Sequence, residues 1–227
     1  MSRAVRRAVA AGVMLAIVTV SGTAAASAES GLYLVASYGR APKFFPRSEL
    51  DAALLEIYDD TLTLDSSSVD RDDKVWSAGM GYRLSPHFAL EATYLDLGKL
   101  NYHATGTSTI QGPSETADVT LDTKSHGPTL ALIWALPLWN EWGVDARAGV
   151  YRGTTSTQLV NTLGDTPHPL DVSAKSTSLM LGLGGSFIAT EHLIVRLDYL
   201  HLNKIAEQAF ERKFDADVVT AGITYQF

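Results

Sequence analysis

The chain of 227 residues is 46% hydrophobic and carries 25 acidic and 18 basic side chains, with no cysteine. The absence of cysteine excludes disulfide bonds and thiolate metal sites, and the acidic balance without a basic stripe disfavours nucleic-acid binding. The length is sufficient for one sizeable domain.

The N-terminus has the three-part layout of a secretory signal peptide. Arg3, Arg6 and Arg7 form a basic start, an apolar run follows from Val9 to Val20, and the small residues before Ala28 form an A-x-A cleavage pattern. The alternative, a membrane anchor, is disfavoured because the apolar run is short for crossing a bilayer. We expect residues 1–28 to be removed after export. Residues 29–227 then carry 15 basic and 25 acidic side chains, a formal charge of −10.

After the signal peptide, apolar residues recur with period two, which predicts β-strands. The short turns 85–87, 139–140 and 189–191 alternate with the long links 41–72, 104–117, 158–171 and 207–213. This alternation is typical of outer-membrane barrels, which have short periplasmic turns and longer external loops. The eight predicted strands are 31–40, 73–84, 88–103, 118–138, 141–157, 172–189, 192–206 and 214–227.

Each predicted strand has one apolar face and one small, polar or charged face. In the strand 192–206, Val195 and Leu197 alternate with Arg196 and Asp198. Inside a soluble barrel the large apolar residues would compete for little volume, whereas facing lipid removes that conflict. We therefore predict an all-β fold, an eight-stranded antiparallel transmembrane up-and-down β-barrel, in residues 29–227. The predicted lipid-interface aromatics are Trp76, Tyr82, Phe88, Tyr94, Trp142 and Tyr199.

The predicted inner face carries three positive and three negative side chains. Because an unpaired buried charge is costly, this balance predicts mutual pairing in the lumen. One interpretation is a gate that exchanges ion pairs, and the other is a structural plug. We favour the plug, with at most a narrow pore, because eight strands enclose a lumen just wide enough for side chains. The six residues are Arg83, Glu91, Asp145, Arg147, Arg196 and Asp198.

Four segments resemble the eight-stranded transmembrane domain of OmpA-type outer-membrane proteins, including OmpX-like members. They are "LEATYLDLG" (90–98), "HGPTLALIWALPLWNEWGVDARAGV" (126–150), "SFIATEHLIVRLDYLHLNKIA" (186–206) and the ending "VVTAGITYQF". The resemblance implies a monomer in the outer membrane, in contact with lipopolysaccharide, with a role in membrane integrity or surface interaction. It also implies a Glu91–Arg196 pair and a C-terminal signal, Tyr225 and Phe227, read by the barrel-assembly machinery.

The first long link holds nine acidic residues against three basic ones in residues 41–73. Divalent cations prefer carboxylates, but "DSSSVDRDD" lacks the spacing of an EF-hand loop, so we favour a solvated, mobile loop. Within it, "ELDAALLEIYDDTLTL" has apolar residues that could form a short helix or pack on the barrel rim. We expect any external ligand to bind through the link 41–72.

Two stretches of the sequence are similar to barrels with other functions. The stretch "YLHLNKIAE" is faintly similar to PagL-type lipid A deacylases, but Leu202 occupies the position of the nucleophilic serine and His201 falls on the lipid-facing side. The stretch "SHGPTLALIW" is loosely similar to OmpW-type barrels, which pass small apolar molecules. The alternation indicates no apolar channel in the lumen. We therefore predict no enzymatic activity, no catalytic or metal-binding residue and no cofactor, with OmpW-type transport as the alternative.

Overall fold

The computed structural model describes residues 31–44, 47–57, 61–72, 74–109, 115–139, 141–163, 166–205 and 214–227. The predicted signal peptide and the link 207–213 lie outside the described residues. The elements are β1 (Gly31–Phe44), α1 (Arg47–Ile57), β2 (Leu62–Asp72), β3 (Lys74–Arg83), β4 (Phe88–Ser108), β5 (Glu115–Trp139), β6 (Trp142–Leu163), β7 (Thr166–Ile188), β8 (Leu193–Ile205) and β9 (Phe214–Gln226).

The strands close into a ring in which each is antiparallel to its neighbours. Around the ring the order is β1, β3, β4, β5, β6, β7, β8, β9 and back to β1. One part of β4 pairs with β3 and its remaining part pairs with β2, so β2 continues β3 along the same wall. The predicted eight-stranded antiparallel barrel is therefore confirmed. Closure also satisfies the backbone groups that an open sheet edge would leave unpaired in lipid.

The two ends of the barrel differ in how the strands are connected. At the turn end, which also holds Gly31 and Phe227, β3–β4, β5–β6 and β7–β8 are joined by the predicted short turns. The hydroxyls of Ser85 and Thr190 accept hydrogen bonds from the backbone N–H of Phe88 and Leu193, both at 3.1 Å, which stabilises tight turns. We call the opposite end the loop end.

At the loop end, strands replace most of the predicted loops. β4, β5, β6 and β7 contain 21, 25, 22 and 23 residues, respectively. The predicted links 104–117 and 158–171 are therefore wrong as loops, because most of their residues belong to these strands. In residues 104–107, the buried Ala104 and Gly106 alternate with the half-buried Thr105 and Thr107.

The segment 41–72 also has regular structure, and its interpretation as a solvated, mobile loop is wrong. It contains α1, eleven residues long, and β2. Leu50 and Leu54 of α1 are buried, whereas Leu55 is exposed, so the helix packs one face onto the loop end of the barrel. The alternative of a short helix is confirmed. No helix among the described residues is both long and apolar enough to span a membrane.

The apolar face changes sides partway along the wall, at what we call the inversion level. In β4, Leu90 and Tyr94 point outward and are more than 40% exposed, whereas the next residue, Leu95, points inward and is 1% exposed. In β9, Val219 faces outward and its neighbour Val218 is fully buried. The turn half is thus apolar outside and polar inside, as hydrocarbon requires. The loop half is mainly polar outside and apolar inside, as water requires, with Leu170 and Val172 of β7 as exposed apolar residues.

Candidate functional site: a lumen sealed at two levels

A cluster of charged side chains crosses the lumen in the turn half. Glu91 comes from β4, Asp145 and Arg147 from β6, and Arg196 and Asp198 from β8. Each is 4–9% exposed. Alternation places them inside because their outward neighbours are apolar. We call these five residues the charge cluster.

Each arginine of the charge cluster contacts more than one carboxylate. Arg147 Nη2 lies 2.7 Å from Asp198 Oδ1, and its Nε lies 3.0 Å from Asp145 Oδ1. Arg196 Nη1 lies 2.8 Å from Glu91 Oε2. Two longer contacts connect each arginine to the main partner of the other one. They are 3.6 Å from Arg147 to Glu91 and 3.5 Å from Arg196 to Asp198. Pairing of this kind offsets the penalty of burying charge.

Neutral groups complete the hydrogen bonding around the charge cluster. The Tyr33 hydroxyl donates to Glu91 Oε2 at 3.2 Å, and Arg196 donates to Thr224 Oγ1 at 3.3 Å. Close packing also depends on Gly184, where a Cβ atom would collide with the carboxylates of Asp145 and Asp198. The cluster is therefore closely packed as well as ion-paired, and its three carboxylates and two arginines leave a formal charge of −1.

Arg83, the sixth predicted member, stands apart from the charge cluster. It forms no ion pair with a described carboxylate, and its buried Nε has no hydrogen-bond partner among the described groups. In register Arg83 pairs with Ala89, whereas Glu91 pairs with Gly81, one step of the pleat further from the turn end. The predicted pairing of all six charges is therefore wrong for Arg83.

Two cavities of the lumen lie on either side of the charge cluster. A cavity of about 130 Å³ near the turn end is lined by Arg83, Phe88, Ile133 and Glu141 and reaches Asp145 and Arg196. A second cavity, of about 20 Å³, lies on the side toward the loop end. The smaller volume is about that of one water molecule.

Hydroxyl groups line the next level of the lumen. Ser37 and Ser77 are 2.7 Å apart across β1 and β3, and Thr93 and Thr129 are 2.6 Å apart across β4 and β5. Ser125 contacts the Tyr151 hydroxyl at 3.1 Å. These cross-strand contacts satisfy polar groups between the charge cluster and the apolar interior beyond it.

The loop half encloses a hydrophobic core, the second seal. The alternation indicated no apolar channel in the lumen, and it did not predict this apolar core, which is packed with side chains. The Tyr102 hydroxyl donates to Asp51 Oδ1 of α1 at 2.6 Å and ties the helix to this core. Burial and this hydrogen bond raise the pKa of Tyr102 above its ordinary value. Among the core residues are Leu50, Leu54, Leu95, Leu97, Leu100, Tyr102, Val119, Leu202, Ile205 and Val218.

The predicted interface aromatics lie on the outer wall. All six are 42–56% exposed, and they are Trp76, Tyr82, Phe88, Tyr94, Trp142 and Tyr199. At the turn end, the rings of Tyr225 and Phe227 meet edge to face with centroids 5.3 Å apart. Phe227 is 69% exposed, so its side chain is accessible from outside the barrel.

The single histidine considered as a catalytic group has a different setting. His201 faces outward, and its Nδ1 lies 2.7 Å from Asp217 Oδ1. The following residue, Leu202, is fully buried in the loop-half core. Among the described residues, no group of three His, Asp or Glu side chains could hold a metal ion.

Comparisons with known proteins place this architecture in a family. The family profile of the OmpA-like transmembrane domain matches residues 53–227. A search of curated protein sequences finds no match.

Three solved structures with a similar course of the chain are distant in sequence. The N-terminal β-barrel domain of Pseudomonas aeruginosa OprF is 10% identical, with a TM-score of 0.44, and the alignment covers 87% of this chain and 98% of that one. Ail of Yersinia pestis is 12% identical, with a TM-score of 0.42 and coverage of 88% and 98%. Pseudomonas aeruginosa OprG is 14% identical, with a TM-score of 0.41 and coverage of 88% and 97%. Because the family profile spans most of the chain and the strands close into the expected ring, the protein belongs to the OmpA-like transmembrane domain family.

Proposed function

We propose that this outer-membrane β-barrel does not conduct ions and acts in membrane integrity or surface interaction. The observation that carries the proposal is the lumen sealed at two levels, by the charge cluster and by the loop-half core. In this family the turn end faces the periplasm and the loop end faces the exterior. The export signal cleaved after Ala28 and the assembly signal at Tyr225 and Phe227 are part of the same proposal.

A conducting path would have to break both seals. Opening the charge cluster would separate buried ion pairs, and stranding one buried charge costs about 3–5 kcal/mol. An ion would then meet Leu95, Leu100 and Leu202, each at most 1% exposed, where it would lose its hydration without compensation. We therefore favour a plug over a gate.

The loop half supports a role at the cell surface. Its long strands extend the polar outer wall beyond the hydrocarbon as regular β-structure. The helix α1 and strand β2 present the face on which an external ligand would bind. Such a ligand would meet a pre-formed surface, which lowers the entropic penalty of binding.

Planar-bilayer recording tests the closed lumen. Heat-modifiable mobility on a detergent gel would first establish that the purified barrel is folded, and protease protection would show that it has inserted. We expect silent insertion at every applied voltage. Stepwise conductance that scales with protein concentration would overturn the proposal.

OmpW-type transport of small apolar molecules is the second candidate, and the apolar interior of the loop half favours it. Transport would require this core to open, because residues such as Tyr102 and Leu202 fill it. Uptake of an apolar fluorophore into vesicles carrying the barrel would support transport.

An unchanged lipid A profile in cells with and without the protein is expected for a barrel without enzymatic activity.

A further inference from the structure

The cavity near the turn end, which we call the turn-end cavity, combines apolar walls with two arginine side chains. Its volume is about 130 Å³, and Asp145 and Arg196 of the charge cluster line its inner end. Pro86, Pro137 and Glu141 also line it, and all three are exposed, so the cavity opens between the turns. An apolar cavity of about 150 Å³ can hold one benzene molecule. The turn-end cavity is therefore of the right size for one small organic molecule.

Arg83 reaches the turn-end cavity without a counterion. It forms no ion pair with a described carboxylate, and its buried Nε has no hydrogen-bond partner among the described groups. Strand register gives the reason, because Arg83 is directly opposite Gly31 of β1 and Ala89 of β4. The next residue in that row, Ile133 of β5, is also apolar. Since none of these neighbours has a polar side chain, compensation for the guanidinium charge has to come from within the cavity.

Further hydrogen-bond donors of the turn-end cavity come from β7, β8 and β9. Arg196 uses Nη1 for Glu91 and Nε for Asp198, and its buried Nη2 has no partner among the described groups. Ser186 is directly opposite Arg196 in register and lines the cavity, as does Thr224. The Thr224 hydroxyl accepts a hydrogen bond from Arg196, so its own hydrogen can be donated to a ligand. The polar side of the cavity is therefore suited to an anion.

Two carboxylates line the turn-end cavity as well, and neither is paired with Arg83. Asp145 contacts Arg147 Nε at 3.0 Å. Glu141 lies at the exposed rim, where water and salt screen its charge. An anion that enters the cavity would therefore meet a guanidinium that no described carboxylate occupies, with a screened like charge at the entrance.

We propose that the turn-end cavity binds a small monocarboxylate with an apolar body, for which benzoate is the probe. The carboxylate accepts two parallel hydrogen bonds from the guanidinium of Arg83, the geometry that arginine offers to carboxylates. The apolar body lies against Ala89, Ile133 and the ring of Tyr33, which belong to one buried apolar group. Inorganic phosphate fits less well, because these apolar walls would leave its remaining oxygens without donors.

The charge cluster closes the inner end of the turn-end cavity, so the ligand binds without passing through the barrel. Access to the site from the periplasm rests on the proposed placement of the turn end. Binding itself is measured in detergent and does not depend on that placement. A barrel that conducts ions yet binds benzoate would refute only the closed lumen.

The test uses the whole purified barrel in detergent micelles, with folding checked by heat-modifiable mobility. Isothermal titration calorimetry measures the binding of benzoate, with empty micelles as the blank. The test variants are Arg83→Gln, which removes the charge, and Ala89→Leu, which fills the cavity and keeps Arg83. Arg152→Gln, on the exposed outer wall of β6, is the matched control, and Glu141→Gln removes the rim carboxylate. Benzamide and inorganic phosphate are the comparison ligands.

We expect Arg83→Gln to bind benzoate about tenfold more weakly than the parent, because hydrogen bonds to a charged group are lost. Ala89→Leu should also lose binding. Arg152→Gln should bind like the parent, and Glu141→Gln at least as tightly, because a like charge is removed. Neutral benzamide should not distinguish Arg83→Gln from the parent.

Three results would overturn the inference. The first is no saturable heat for benzoate above the micelle blank. The second is equal binding of benzoate by the parent and by whichever of Arg83→Gln and Ala89→Leu folds. The third is tighter binding of inorganic phosphate than of benzoate, since the apolar walls would then contribute nothing.

Discussion

Replacing Glu91 by alanine should weaken the barrel strongly without opening it. The change removes the 2.8 Å contact to Arg196, the 3.6 Å contact to Arg147 and the hydrogen bond from Tyr33. Arg196 would keep only a 3.5 Å contact to Asp198 and a hydrogen bond to Thr224. Removing one partner of a buried ion pair costs about 3–5 kcal/mol. We expect the lower part of that range because Arg196 retains a carboxylate.

Two further variants separate charge from packing. Glu91→Leu combined with Arg196→Met removes the whole pair, while Asp198 keeps Arg147 at 2.7 Å. This double variant should lose less stability than Glu91→Ala alone, because no arginine is left short of a partner. Glu141→Ala is the matched control, since this carboxylate is exposed at a turn and should change stability by less than about 0.5 kcal/mol.

The measurement is urea unfolding in detergent micelles, followed by tryptophan fluorescence, together with bilayer recording of each variant. A loss for Glu91→Ala no larger than that for Glu141→Ala would show that the ion pair does not stabilise the fold. Conductance gained by Glu91→Ala would be equally informative. It would mean that the loop-half core does not seal the lumen by itself.

Three other predictions concern different parts of the wall. Gly184→Ala should destabilise the barrel by about 1–3 kcal/mol because its Cβ would collide with two carboxylates of the charge cluster, whereas Gly185→Ala, with nothing within 4 Å, should change urea stability little. Leu54→Ala should cost about 2–4 kcal/mol and expose the segment around α1 to limited proteolysis, and the adjacent, exposed Leu55→Ala should not. Deleting Phe227 should lower the fraction of heat-modifiable barrel in membranes while refolding in detergent stays close to normal, because its exposed ring contributes little to packing; equal losses in both assays would contradict an assembly role.

The strand pattern predicted the barrel because lipid imposes a simple alternation over the turn half. It also placed Glu91 and Arg196 on the inner face. Charge balance predicted that the inner charges pair with one another, and the resemblance to OmpA-type barrels implied this particular pair. Charge balance does not show which side chains are close together, however, so it could not separate Arg83 from the other five charges. The separation depends on the register between β3 and β4, which pairs Arg83 with Ala89.

The strand pattern did not predict the hydrophobic core of the loop half. A period of two was followed along each whole strand, although the apolar face changes sides partway. The available signal was a pair of adjacent apolar residues, as in Tyr94-Leu95 and Val218-Val219, where strict alternation breaks. The packing of α1 on the barrel could not be predicted from local patterns, because Asp51 and its partner Tyr102 are 51 positions apart in the sequence.

The inversion level explains why strands of this length are stable. A strand that leaves the bilayer loses the lipid that covers its apolar side, so a continued apolar outer face would be exposed to water. Moving the apolar residues inward lets the loop half bury its own core, at roughly 25 cal/mol per Å² of apolar surface. The same inward shift fills the lumen, because eight strands leave no room for both a core and a channel. Extension beyond the membrane and closure of the pore are therefore one structural solution.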